Sequence, residues 1–126
     1  LQIEVYFHHL QVQIDSAPFV ISSTVTYDKR GPSLGFIRGD LILDDGSTLH
    51  FREFVDTQTT IERDIYAYQY RDAAGNLVFR YDNADHHRKL NLATHPHHKH
   101  DGAEANIVAA VEPTLADVLA EIEQLL

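Results

Sequence analysis

Residues 34–55 read LGFIRGDLILDDGSTLHFREFV. Two alternating apolar and polar runs, Leu34–Leu43 and Thr48–Val55, flank Asp45-Gly46, because glycine after aspartate supplies the positive φ of a tight β-turn. This is the strongest hairpin signal in the chain. With Asp45-Gly46 as a two-residue loop, Arg38 faces Glu53, Asp40 faces Phe51 and Ile42 faces Leu49. An Arg38–Glu53 pair reads as an exposed cross-strand contact of small energy or as part of a substrate site.

Outward from this hairpin the same period of two continues. Phe19, Ile21, Val25 and Tyr27 alternate with Ser22, Thr24 and Thr26, predicting a half-buried strand that ends in the turn Lys29-Arg30-Gly31-Pro32-Ser33. Residues 56–63 form a polar loop. Asp64–Arg71 and Asn76–Asp82 then form a second hairpin around Ala74-Gly75, which completes a meander of about five antiparallel strands. Residues 83–110 read as irregular, with a short strand at Asn106–Val111; a loop this long in a small domain is functional or disordered.

Both ends of the chain have the period of a helix. Ile3, Phe7, Leu10 and Ile14, with Tyr6 alongside, form one stripe over residues 2–15, and Asp15-Ser16 before Pro18 stop it. At the other end Leu115, Val118, Leu119, Ile122 and Leu126 share a face, with Thr114 and Asp117 placed as a reciprocal cap. The fold class is α+β: a single antiparallel sheet with an N-terminal and a C-terminal helix, residues 1–126 forming one domain.

The 126 residues include 10 Lys+Arg against 19 Asp+Glu, nine His and no Cys, Trp or Met. Without cysteine there is no disulfide frame, thiolate nucleophile or Cys-ligated zinc, a composition that fits the cytoplasm. No apolar run reaches the ~18 residues of a membrane span, so no membrane partner is expected. The net charge of −9 makes the chain a poor general binder of polyanions. The charge is uneven, however. Residues 101–126 hold only acids, whereas residues 80–100 hold Arg80, Arg88, Lys89 and Lys99 and six of the nine His.

Arg80-Tyr81-Asp82-Asn83-Ala84-Asp85-His86-His87 and His95-Pro96-His97-His98-Lys99-His100 carry the chemistry. One reading is acid–base work: His86 and His98 as base and acid, Asp82 as orienter, Arg80 and Lys99 on a phosphate. These parts suffice to cleave RNA through its 2′-hydroxyl without a metal or other cofactor. A second reading is a non-catalytic module that holds a transition metal such as Zn, or a partner, through His98-x-His100 with Asp82 or His86 adding a ligand. A third is a histidine-rich surface loop. Tyr66, Tyr68 and Tyr70 share a face that either packs or stacks bases; His8, His9 and His50 read as surface residues.

DGSTLHFREF (45–54), the Tyr-rich strand, FRYDN (79–83), His86-His87 and PHHKH (96–100) together resemble the TumE-type family, small bacterial and archaeal toxins of toxin–antitoxin pairs. Arg80, Asp82, Asn83, His86, His98 and His100 match its pattern, while Asp85 and His95 stand where members usually carry proline and an aromatic residue. The resemblance implies a toxin neutralised by a co-encoded helix-turn-helix antitoxin, and it adds Asn83 to Arg80 and Lys99 on the substrate side. RNA is the target expected from the residues themselves; a homodimer stays open. A basic antitoxin would complement the acidic C-terminal segment, so Asp117, Glu121 and Glu123 changed to Lys are expected to slow association without unfolding the domain.

Overall fold

The computed structural model describes residues 1–85 and 90–126. Helix α1 (Ile3–Asp15) leads into strands β1 (Val20–Lys29), β2 (Leu34–Leu43), β3 (Thr48–Asp56), β4 (Glu62–Arg71) and β5 (Leu77–Asp82). Two further strands, β6 (His98–Asp101) and β7 (Ile107–Ala109), precede helix α2 (Leu115–Leu125). All pair antiparallel in sequence order, so the sheet has seven strands rather than about five. The five expected strands are present, and β7 falls within the short strand read at Asn106–Val111. β6 carries His-Lys-His-Asp and no apolar alternation; it becomes a strand by pairing with β5, a cause that lies outside its own sequence.

Both helices cover one face. Ile3, Tyr6, Leu10 and Ile14 of α1 and Leu115, Val118, Leu119 and Ile122 of α2 are buried in one core with Ile37, Leu41, Phe51, Val55, Tyr66, Tyr68 and Phe79 of the sheet. At α2 the reciprocal cap is present: Asp117 N donates to Thr114 Oγ1 at 3.1 Å, and Thr114 N donates to Asp117 Oδ2 at 3.0 Å. The helix-facing tyrosines Tyr66, Tyr68 and Tyr70 are at most 3 % exposed, so they pack rather than stack bases.

Two registers differ from the sequence reading. In β1 the register shifts between Val20 and Ser22, and the resulting bulge leaves Ile21 65 % exposed instead of inward. In the β2–β3 hairpin Leu43 N bonds Ser47 O at 2.9 Å, and Gly46, at φ 84°, closes a three-residue loop, Asp44–Gly46. That one extra loop residue slides the register by one. Arg38 therefore faces Arg52, Asp40 faces His50, and Glu53 lies beside Ile37 with its side chain in the core.

Gly39 sits under the Phe51 ring, and a Cβ there would lie 2.3 Å from Phe51 Cε1. Phe51 is fully buried and stacks on Tyr68 at 6.3 Å, so it has nowhere to retreat. Gly39→Ala is expected to cost about 1–3 kcal/mol through overpacking. Urea denaturation should show a lowered midpoint at unchanged slope.

Candidate functional site

Strands β5 and β6 build the site on the sheet face turned away from the helices. Arg80 pairs across the ladder with His100 and Asp82 with His98, so alternation brings all four side chains to one face. Asp82, His98 and His100 are 7, 1 and 2 % exposed. Their polar atoms therefore face protein rather than solvent.

The carboxylate of Asp82 is the hub. Its Oδ1 lies 2.8 Å from His98 Nε2, and its Oδ2 lies 3.1 Å from Arg80 Nε and 3.6 Å from His100 Nε2. His98 Nδ1 donates to Pro96 O at 2.9 Å, and His100 Nδ1 donates to Glu104 O at 2.7 Å. Backbone carbonyls thus fix both rings and aim both Nε2 atoms at Asp82. Arg80 Nη2 donates to His100 Nε2 at 3.0 Å, and Nη1 reaches Glu104 Oε1 at 2.9 Å.

Beside this group lies an open groove of about 580 Å³. Ala67, directly across from both Arg52 and Asp82 on its neighbouring strands, leaves the low point between them. Arg80 and Asp82 of β5 border one side and His50 and Arg52 of β3 the other, with Gln69 of β4 between them. The sequence reading missed Arg52, His50 and Gln69. The correct hairpin register was the signal that would have placed Arg52 on this face.

The remaining candidates divide. Asn83 caps the end of β5 by a strand-like pairing: its Oδ1 accepts from Tyr66 N at 3.1 Å, and its Nδ2 donates to Asp64 O at 3.0 Å. Asn83 also borders the groove, so it holds the wall in place. Lys99 does not join the group. It alternates to the helix side, 2.9 Å from Glu121 Oε2 of α2 and over the rings of Phe79 and Tyr81. Burial opposes its charge, but the bonds to Glu121 and Tyr81 win and raise its pKa above the usual lysine value. His86 lies outside the described residues. His97 Nδ1 bonds Tyr66 OH at 2.9 Å, and His95 Nε2 lies 2.6 Å from Asp85.

The acidic C-terminal surface is also partly committed. Glu121 holds Lys99 and accepts from Tyr81 OH at 2.5 Å, while Asp117 closes the α2 cap. Changing both to Lys removes these contacts as well as reversing the charge.

An antiparallel sheet with helices on one face and, on the other, a buried His–Asp–His group joined by the part-exposed Arg80 beside a groove defines a small α+β site protein. Residues 10–126 match the family described as Toxin TumE, and the chain belongs to that family. It is a toxin by family, and an antitoxin partner is implied. No curated protein and no solved structure matches the chain. Among the described residues no helix is long and apolar enough to cross a membrane.

Proposed function

We propose that this toxin acts on RNA in the cytoplasm of its host, cutting the backbone at the groove beside Asp82, and that a helix-turn-helix antitoxin restrains it. The observation that carries this reading is the Asp82 carboxylate, held by His98 and Arg80 on the wall of an open groove. His98 is buried, with Nδ1 on Pro96 O and Nε2 2.8 Å from Asp82 Oδ1, and it stands behind Asp82. The roles read from sequence are therefore reversed here: Asp82 faces the substrate, and His98 orients it. The 2′-oxygen attacks the adjacent phosphorus while Asp82 accepts its proton. The bond from phosphorus to the 5′-oxygen breaks, and a protonated imidazole, assigned from the sequence to His86, returns a proton to the leaving oxygen. Arg80, a quarter exposed, offers its guanidinium to the charge that develops on the phosphoryl oxygens. The products are a 2′,3′-cyclic phosphate and a 5′-hydroxyl.

Growth of the cognate host tests the toxin role together with the site. Induced wild-type protein should arrest growth, co-expression of the partner gene should relieve it, and Asp82→Asn at equal expression should not arrest. Arrest by Asp82→Asn equal to wild type would contradict the assignment.

A specific observation favours a second reading. Asp82, His98 and His100 each offer one ligand atom, all within 4.8 Å of one another, a set that suits a transition metal. Arg80 already places a cation against two of these ligands. On this reading Zn(II) raises the Tm of wild type, and raises it further in Arg80→Gln, where the competing cation is gone. Thermal unfolding with and without Zn(II) is the check. Equal Tm values in both proteins would dismiss the metal.

A further inference from the structure

We propose that the open sheet face on β2 and β3 is a platform for single-stranded RNA, with Phe36 and Phe54 stacking bases and Arg38 and Arg52 taking phosphates. The inference deepens the RNA reading above and rests on it for the choice of ligand.

The corrected hairpin register is the starting point. It sets Arg38 directly opposite Arg52 on exposed surface, and like charges in facing positions destabilise a sheet. Among the described residues neither guanidinium has a carboxylate partner. Nearby acids are engaged elsewhere: Asp40 on β2 binds His50 at 2.7 Å, and Asp28 on neighbouring β1 binds Arg30 at 2.8 Å. A chain of net charge −9 has acids to spare, yet none neutralises this pair. An anionic ligand would.

The adjoining row supplies the second half. Phe36 and Phe54 face each other across the same two strands, with ring centroids 6.4 Å apart, only half-buried and outside the core cluster. Arg38 lies over Phe36, its guanidinium carbon 5.2 Å from the ring centroid. Aromatic rings on a sheet beside unpaired arginines match the two faces of a single strand: π-surfaces for bases, cations for phosphates. A duplex hides its base faces and cannot use the rings. The path continues from Arg52 across Ala67 to Asp82. At ~4.8 Å per strand, Arg38 to Asp82 spans roughly 14 Å, the reach of a few extended nucleotides. The platform therefore leads a strand into the groove where the proposed reaction takes place.

The test is binding of a fluorescein-labelled 2′-O-methyl RNA dodecamer, whose blocked 2′-oxygen cannot react, followed by anisotropy across salt concentrations. Wild type should bind the single strand in preference to the same sequence as a duplex. Arg38→Gln/Arg52→Gln should weaken binding and flatten the plot of log K against log salt by about 1.4, some 0.7 for each lost phosphate contact on a single strand. Phe36→Leu/Phe54→Leu keeps apolar bulk and removes the π-faces; it should lower affinity about tenfold or more at unchanged Tm.

Failure to bind the dodecamer, or binding and salt slope unchanged in both double variants, overturns the platform. Unchanged RNA binding with antitoxin binding lost makes the face a protein interface, which also overturns it. The two readings fail separately. If wild type binds through these residues but leaves natural RNA uncut, the cleavage reading falls and the platform stands; if it cuts RNA while the variants bind normally, the reverse holds.

Discussion

Glu53→Ala is expected to lower the stability of the domain by about 2–6 kcal/mol, because it leaves a buried polar network without its acceptor. Glu53 is fully buried between the sheet and the helices, where its carboxylate accepts from the hydroxyls of Tyr6 and Tyr68. Tyr68 in turn accepts from Arg63 at 2.7 Å, and Arg63 donates to Pro113 O and pairs with Glu112 at 3.0 Å. The network thereby ties α1 to β3, β4 and the segment that leads into α2. Truncation strands two hydroxyl donors at once, each costing ~1–3 kcal/mol. Against a total stability of ~5–15 kcal/mol this is a large fraction. Guanidinium unfolding of the two proteins reads the loss; a difference below 1 kcal/mol, by that same scale, would show that the network is slack.

The same residue sets a pH dependence. Burial raises the Glu53 pKa above its ordinary value of 4.5, although the bonds from Tyr6 and Tyr68 pull the other way. The unfolded chain gives up this proton near the ordinary value, while the folded protein holds it to higher pH. The stabilisation linked to this group is therefore complete below the unfolded value and declines as pH rises through the folded one. Glu53→Gln, which cannot ionise, should show a smaller loss of Tm between acid and neutral pH than wild type. A parallel pH profile for the two proteins would contradict this.

Glu53 also marks where the sequence stops being legible. A glutamate amid Phe51, Arg52 and Phe54 reads as the solvent side of a strand, and its partners Tyr6 and Tyr68 are remote in the chain. Only the assembled core brings them together. The hairpin itself was legible, but its loop length was not, because Gly46 serves a two- or a three-residue turn equally well. One residue of slip exchanged a neutral Arg38–Glu53 pair for the facing Arg38 and Arg52. At α2, cap and stripe both lie within a dozen residues, and local physics sufficed.

The site was legible in part for the same reason. Alternation alone puts Arg80 with Asp82 and His98 with His100, and it also sends Lys99 to the opposite face, where Glu121 holds it. Nothing local reveals that His98 pairs with Asp82 across the ladder, since β6 carries no strand signal of its own. The burial of both imidazoles was likewise invisible.

Asp82→Asn carries the second large effect. The amide keeps the shape of the side chain and a carbonyl for Arg80, but it cannot accept the proton of an attacking hydroxyl. On the proposed mechanism Asp82 is the positioned general base, whose loss costs typically ~10²–10⁴ in rate, so cleavage should fall by at least that lower bound. Arg80→Gln, which removes the charge stabilisation and one of the bonds that hold Asp82, should also lower the rate.

The direct measurement is cleavage of 5′-labelled single-stranded RNA by the purified protein in the presence of chelator, with the 3′ ends of the products identified. The proposed mechanism predicts 2′,3′-cyclic phosphate ends from wild type and at least a hundredfold less product from Asp82→Asn. No cleavage by wild type that arrests growth, or equal cleavage by Asp82→Asn, would contradict it.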